Sequence, residues 1–149
     1  MTNLELINAF HNLEEFQRRE KRELENTGKR ILGNHIKITY AINKNKRGIA
    51  DALGAYNETR EAINRDFRDL DAERKAYEAE QNAAQKEKRK PNPVKMIFRK
   101  GKTAEEYSKK VEELCNLETD FQPKTIPVTE LEGLEITSEE LELLMFMID

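Results

Sequence analysis

Residues 42–77 read INKNKRGIADALGAYNETREAINRDFRDLDAERKAY, and this stretch carries an apolar residue at every seventh position. The six positions are Ile42, Ile49, Tyr56, Ile63, Leu70 and Tyr77. A seven-residue period is typical of a helical face that packs against another helix. The pattern therefore predicts one long helix over residues 38–88, with an apolar stripe made for contact with a second helix.

Two glycines, Gly48 and Gly54, lie inside this predicted helix. A glycine in a helix interior costs about 1 kcal/mol relative to alanine. A close approach of another part of the chain, a local bend or simple tolerance would each account for their presence. The sequence leaves these three explanations open.

A shorter helix precedes the long one. Thr2 and Glu5 have the spacing of a capping box, and the apolar residues that follow predict a first helix over residues 3–31. The polar turn at residues 33–35 brings the second helix back antiparallel. At ~1.5 Å per residue the second helix would measure about 75 Å and the first about 45 Å. The stripe over residues 67–77 would then need cover from a later segment or a second copy of the chain.

The segment after the long helix begins with Pro91 and Pro93. Proline lacks an amide hydrogen and disfavours helical geometry in the preceding residue, so the helix is predicted to end before them. Residues 94–98 and 124–128 are predicted to pair as a short two-stranded hairpin. Pro127 would restrict the second strand to an edge.

The predicted fold is mainly α: a long antiparallel helical hairpin, coiled-coil-like, with a small C-terminal α/β cap that carries the short two-stranded hairpin. Residues 1–90 would form the helical hairpin, and residues 91–102 a basic, proline-containing linker with a short strand. Residues 103–149 would form an acidic cap that packs on the hairpin. The apolar run at residues 143–148 would either pack onto the hairpin's core or form an exposed docking peptide.

The charge is balanced overall but uneven along the chain. There are 26 basic and 29 acidic residues, a formal charge of −3, so no global attraction to nucleic acid or anionic membrane is expected. Residues 86–102 nevertheless carry eight basic residues against the single acid Glu87. These are Lys86, Lys88, Arg89, Lys90, Lys95, Arg99, Lys100 and Lys102. We expect this basic segment to contact either an acidic protein surface or nucleic acid.

The cysteine content and the lack of a long apolar stretch indicate the cellular compartment of the protein. Cys115 cannot form an internal disulfide, and its position beside Val111 and Leu114 indicates a small buried thiol. No segment resembles a signal peptide or a membrane-spanning helix. The sequence therefore predicts a cytoplasmic protein that does not associate with membranes.

The inventory of catalytic groups is poor. His11, Glu14 and Glu15 could reach one metal ion, but zinc sites draw three or four ligands from converging elements. Carboxylate pairs such as Asp66 with Asp69 are common by chance on helices as charged as these. No spacing typical of phosphate-binding loops, zinc proteases or thiol redox sites occurs. We predict no enzymatic activity, no cofactor and no metal.

The distal part of the long helix is the predicted protein-binding surface. Polar residues that interrupt an apolar stripe select register and partner, and arginine and aromatic side chains dominate interface energetics. The residues that we assign to this surface are Arg60, Phe67, Arg74 and Tyr77.

The last third of the chain contains, in this order, EEYSKKVEELCNLE, PKTIPV and LEGLEITSEELELLMFMI. This order resembles the end of small uncharacterised proteins encoded by phages and prophages of bacteria. Those proteins also begin with a helical hairpin, whose second arm opens much like ITYAINKN at residues 38–45. The most specific pieces are LEGLEI at residues 131–136 and FMI at 146–148. The charged arm over residues 60–90 departs from these proteins. The resemblance implies a phage origin and no established activity.

These features lead us to expect a non-enzymatic phage or prophage protein in the bacterial host's cytoplasm. It would bind a host or phage protein through its helical arm and inhibit a host defence or nucleic-acid-processing enzyme. Two alternatives are an accessory protein that binds nucleic acid through residues 86–102, and a factor for virion or tail assembly. A homodimer would also cover the overhanging stripe.

Overall fold

The computed structural model describes all residues from 1 to 149, and 66% of them are helical. The α-helices are α1 (Asn3–Thr27), α2 (Ile36–Ala52), α3 (Gly54–Phe67), α4 (Leu70–Lys86), α5 (Ala104–Cys115) and α6 (Ser138–Leu144). Short 3₁₀ helices cover Val128–Leu131 and Met145–Met147. The mainly α class is therefore confirmed. None of these helices combines the length and the apolar composition that crossing a membrane would require.

Close contacts divide the chain into two compact units. The terminal unit comprises Met1–Ala55 together with Asn116–Asp149, and the central unit comprises Tyr56–Cys115. Their boundaries differ from the predicted segments 1–90, 91–102 and 103–149. Residues from both ends of the chain thus share one unit, and the stretch between them forms another.

Helices α1 and α2 form an antiparallel helical hairpin in the terminal unit. Gln17 Nε2 donates a hydrogen bond to Asn43 Oδ1 at 3.4 Å. Lys46 Nζ lies 3.8 Å from Glu14 Oε1 and 5.5 Å from the ring centre of Phe10. Residue numbers fall along α1 as they rise along α2, so the two helices run in opposite directions.

Local sequence signals set several helix ends in the terminal unit. The capping boxes of Thr2 with Glu5 and of Thr137 with Glu140 are both formed, so each threonine hydroxyl accepts from the glutamate amide and each glutamate accepts from the threonine amide. Gly28 ends α1 at a φ of 72°, a left-handed conformation that favours glycine. Helix α1 is consequently slightly shorter than the predicted 3–31.

The core of the terminal unit brings α1, α2 and α6 together. Its fully buried apolar side chains are Leu6, Leu13, Phe16, Leu32, Ile38, Ile49, Leu144 and Met147. Each such burial contributes about 1.5–3 kcal/mol relative to an exposed side chain. The apolar run at residues 143–148 therefore packs into this core through two of its members, and Met145 is exposed.

The predicted pairing of residues 94–98 with residues 124–128 is wrong, and the structure contains no strands or sheet. The two segments lie in different units. Isolated backbone bridges join Phe98 to Arg68 and Ile126 to Ile148. Each segment satisfies backbone groups within its own unit, so the predicted α/β cap is replaced by irregular chain and short helices.

The predicted continuous helix over residues 38–88 is interrupted twice. The first interruption is at Leu53, directly before Gly54, and the second is at Arg68 and Asp69. Asp69 Oδ1 accepts a hydrogen bond from the amide of Ala72 at 3.0 Å and so caps α4. The apolar stripe is consequently divided among three helices, and the single long helical arm predicted from the sequence is absent.

Candidate functional site

Three aromatic rings form the centre of the central unit. The ring centres of Phe67 and Tyr107 are 6.0 Å apart, and those of Phe98 and Tyr107 are 5.6 Å apart in an edge-to-face arrangement. Aromatic pairs of this geometry contribute about 0.5–1.5 kcal/mol beyond the area that they bury. The chain segment after α4 and helix α5 are thereby held against the end of α3.

The hydroxyl of Tyr107 joins this aromatic cluster to α3. It donates a hydrogen bond to Asn64 Oδ1 at 2.7 Å and accepts one from Arg60 Nη2 at 3.2 Å. The Arg60 guanidinium also lies 5.6 Å from the centre of the Tyr107 ring. Phe67 is 9% exposed. Two of the four predicted protein-binding residues, Arg60 and Phe67, are therefore engaged inside the central unit.

The junction between α3 and α4 is held by a bidentate ion pair. Arg68 donates from Nε and Nη2 to the two carboxylate oxygens of Glu73, at 3.0 and 2.6 Å. These bonds raise the pKa of Arg68 and hold the pKa of the largely buried Glu73 below its ordinary value. The amide of Asp69 donates to the carbonyl of Ile97 at 2.8 Å, which adds a backbone contact at the same junction.

The outer face of α4 carries the other two predicted residues. Leu70, Arg74 and Tyr77 are spaced by four and three positions and so lie on one side of the helix. Leu70 is 40% and Tyr77 56% exposed, and Arg74 makes only a solvated 3.4 Å contact with Asp71. An exposed ion pair of this kind contributes little to stability. We name these three residues the α4 face; each of them is at least 40% exposed.

The basic segment 86–102 divides into engaged and free cations. Arg89 binds the carboxylates of Glu80 and Glu87, Arg99 Nε donates to the carbonyl of Arg65, and Lys102 Nζ lies 4.7 Å from the centre of the Phe67 ring. The remaining ammonium groups are exposed and make no ion pair. They belong to Lys86, Lys88, Lys90, Lys95 and Lys100.

A cleft of about 670 Å³ lies in the terminal unit, between α2 and residues 121–124. Its lining includes Tyr40, Asn43, Lys44, Arg47, Phe121 and Lys124. Its two walls are far apart in the chain, so the sequence did not indicate this cleft. The sequence did contain a signal for one wall, because four residues are spaced so that they lie on one face of α2. They are Tyr40, Asn43, Lys44 and Arg47.

Buried Asn45 fixes the second wall of the cleft. Its side chain is 1% exposed, its Nδ2 donates to the carbonyl of Lys124 at 2.9 Å, and its Oδ1 accepts from the amide of Lys124 at 2.7 Å. Nδ2 also lies 3.6 Å from the sulfur of Met147. One side chain thus satisfies both backbone groups of a residue in an irregular segment, which holds that segment at a fixed distance from α2.

Gly48 allows the same wall to approach α2. A Cβ at this position would lie 2.8 Å from Cε2 of Phe121. Of the three explanations considered for this glycine, close approach is the one that the contacts support. Gly54 has open space around it, and it directly follows the interruption at Leu53.

The reactive groups do not converge. No three His, Cys, Asp or Glu side chains are placed to hold a metal ion. Glu139 pairs with Arg19 at 2.9 Å. Half-buried Cys115 has its sulfur 4.0 Å from the hydroxyl of Tyr56, whose pKa is raised chiefly by burial. The candidate functional features of the structure are the α4 face, the free lysines of residues 86–102 and the cleft beside α2.

The comparisons with other proteins add no further residue roles. No protein-family model, curated protein or solved structure matches this chain.

Proposed function

We propose that this chain is a non-enzymatic phage or prophage protein that acts by binding another protein through the α4 face. The observation that carries the proposal is the exposure of Leu70 and Tyr77 on one side of a helix whose other side is engaged in the central unit. Arginine and tyrosine are enriched among residues that dominate binding energy. Arg74 lies between the two apolar side chains and supplies a cation for a carboxylate on the partner.

The proposed surface is narrower than the sequence alone indicated. Arg60 contacts Tyr107 and Phe67 is 9% exposed, so the proposal assigns binding to Arg74 and Tyr77 and assigns Arg60 and Phe67 to contacts within the central unit. The resemblance to phage proteins supports the biological setting. In that setting the partner is a host defence or nucleic-acid-processing enzyme that is blocked, or a virion or tail component that is assembled.

Site-specific photo-crosslinking in the bacterial host tests this function. A benzophenone amino acid at position 77 should give a discrete covalent adduct with one protein. The same group in place of Leu24, which is 41% exposed on α1, serves as the control and should not give that adduct. Equal adducts from both positions, or none from position 77, would contradict the proposal.

Alanine substitution then tests the energetic role of the α4 face. Replacing Arg74 and Tyr77 together should weaken binding of the crosslinked partner by at least about tenfold. Thermal stability should stay close to that of the unsubstituted chain because both side chains are exposed. Unchanged binding would contradict the assignment of the α4 face as the binding surface.

A second candidate function rests on the five free lysines of residues 86–102. Cations without carboxylate partners are available to phosphate groups, and each phosphate contact makes affinity fall as salt rises. Replacing Lys86, Lys88 and Lys90 by glutamate should abolish binding to a single-stranded or duplex oligonucleotide at low salt. If the unsubstituted chain binds neither oligonucleotide under those conditions, this candidate is excluded.

A further inference from the structure

The cleft beside α2 differs chemically from the rest of its unit. The terminal unit contains more acidic than basic residues. Lys44, Arg47 and Lys124 nevertheless line one cleft, and their side chains make no ion pair. Asp51 is the single acid in the lining, one turn beyond Arg47, and it forms no ion pair with that arginine. Three unpaired cations at one concave surface create a local positive potential that favours an anion.

Aromatic and amide groups accompany the cations. The Tyr40 ring is 59% exposed at one wall, and Phe121 forms the opposite wall. Asn43 and Gln122 add amide groups to the lining. Exposed rings stack on planar bases, and amides hydrogen-bond to base edges. A simple inorganic anion would use the cations alone and leave the rings and amides without a role.

The cleft also has the size and rigidity that a small ligand requires. Its volume of about 670 Å³ falls within the range of roughly 300–1,000 Å³ that is usual for small-molecule sites. The position of Lys124 is fixed by the two hydrogen bonds of its backbone to Asn45, and Phe121 packs over Gly48. Both walls are therefore formed before a ligand arrives, which lowers the entropic cost of binding.

We propose that this cleft binds a nucleoside phosphate. The phosphate would contact Lys44, Arg47 and Lys124, and the base would stack on Tyr40. Asp51, the one carboxylate of the lining, would accept a hydrogen bond from a ribose hydroxyl or an exocyclic amine. The ligand is either a free nucleotide or the terminal residue of a single strand, since both present the same groups. This site lies in the terminal unit, so it does not depend on the α4 face.

Titration of the full-length chain with adenosine 5′-monophosphate tests the assignment. Calorimetry should show binding at least about tenfold tighter than for inorganic phosphate or adenosine alone, since the ring and the phosphate each contribute. An affinity no greater than that of inorganic phosphate, or no binding, would overturn the proposal. A 5′-phosphorylated oligoadenylate distinguishes the sources: tighter binding than the mononucleotide indicates a strand end, and equal binding indicates a free nucleotide.

Charge-matched variants locate the site. Lys44→Glu with Arg47→Glu should weaken binding of the mononucleotide by at least about tenfold. Lys21→Glu with Arg22→Glu introduces the same charge on exposed positions of α1 outside the cleft, and should leave binding within about twofold. Tyr40→Ala should reduce the affinity to that of inorganic phosphate. Equal losses in the two charge variants would contradict a localised site.

Discussion

The two units use different means to hold their helices. In the terminal unit α1, α2 and α6 meet through a continuous apolar core that includes Leu6, Phe16 and Leu144. In the central unit few large side chains are buried, and polar groups do much of the positioning. The Tyr107 hydroxyl and the Arg68 guanidinium are the main examples. The terminal unit thus depends on the area that it removes from water, and the central unit on a small number of directional contacts.

The apolar stripe passes through both units and shows what this difference means. Ile42 and Ile49 are 3% and 0% exposed, whereas Leu70 and Tyr77 are 40% and 56% exposed. The same seven-residue period therefore leads to core in one unit and to free surface in the other. A period predicts which side chains share a helix face, but it does not say whether anything covers that face.

The largest expected effect on stability is at Asn45, whose amide side chain is buried in α2. Asn45→Leu keeps the branched shape but removes the side-chain partner of both the amide and the carbonyl of Lys124, and should destabilise the chain by about 1–3 kcal/mol. Asn57→Leu, at an exposed position of α3 where the side chain makes no hydrogen bond, should change stability by less than about 0.5 kcal/mol. Urea unfolding measures both. Similar costs would show that Asn45 does not hold the wall of the cleft.

Alanine substitutions at Gly48 and Gly54 should change the free energy of unfolding in opposite directions. Gly48→Ala forces Phe121 to move and should cost about 1–2 kcal/mol, since overpacking outweighs the gain in helix propensity. Gly54→Ala meets no atom within 4 Å and should stabilise the chain by about 0.5–1 kcal/mol. Thermal unfolding of the two variants measures the difference. Stabilisation by both would remove the close approach as the reason for Gly48.

The hydroxyl network of the central unit should have a smaller effect. Tyr107→Phe keeps the aromatic contacts but removes the acceptor for Arg60 and the donor to Asn64, and should cost about 1–1.5 kcal/mol. Tyr77→Phe removes a hydroxyl that makes no hydrogen bond in the protein, and should be neutral. Chemical denaturation measures the change in stability of both variants, and amide exchange in α3 and α5 shows where protection is lost. Equal costs would mean that the hydroxyl network does not hold α5.

The smallest expected effect is a loss of stability in acid. The Arg68 guanidinium holds the pKa of Glu73 below its ordinary value of 4.5. The folded state therefore binds fewer protons than the unfolded state, and the contribution is complete above pH 4.5 and lost as the pH falls through the folded pKa. Unfolding at pH 7 and pH 3 should show a smaller acid loss in Glu73→Gln than in the unsubstituted chain.

Glu78→Gln is the matched control, because this residue is exposed on the same helix and makes no ion pair. Its acid loss should equal that of the unsubstituted chain. An equal acid loss in Glu73→Gln would show that the Arg68 pair contributes nothing to pH dependence.

Much of the helical architecture was predictable from local residues. The capping boxes of Thr2 and Thr137 start α1 and α6, and Pro91 and Pro93 follow the end of α4. The interruptions also have local signals that the apolar period obscured. Gly54 directly follows the first, and Asp69 is a favourable N-cap with acidic residues in the next turn. Both interruptions of the predicted long helix therefore coincide with residues that locally favour a helix boundary.

The sequence by itself determined the helical class, the starts of α1 and α6 and the end of α4, because caps, prolines and apolar spacing act over a few residues. Only the tertiary structure decided that residues 94–98 and 124–128 lie in different units, that Phe67 is internal while Tyr77 is exposed, and that a cleft forms beside α2. These outcomes depend on contacts between residues far apart in the chain, such as Asn45 with Lys124. A local pattern predicts which side chains share a helix face, and the packing of distant segments decides which residues those side chains contact.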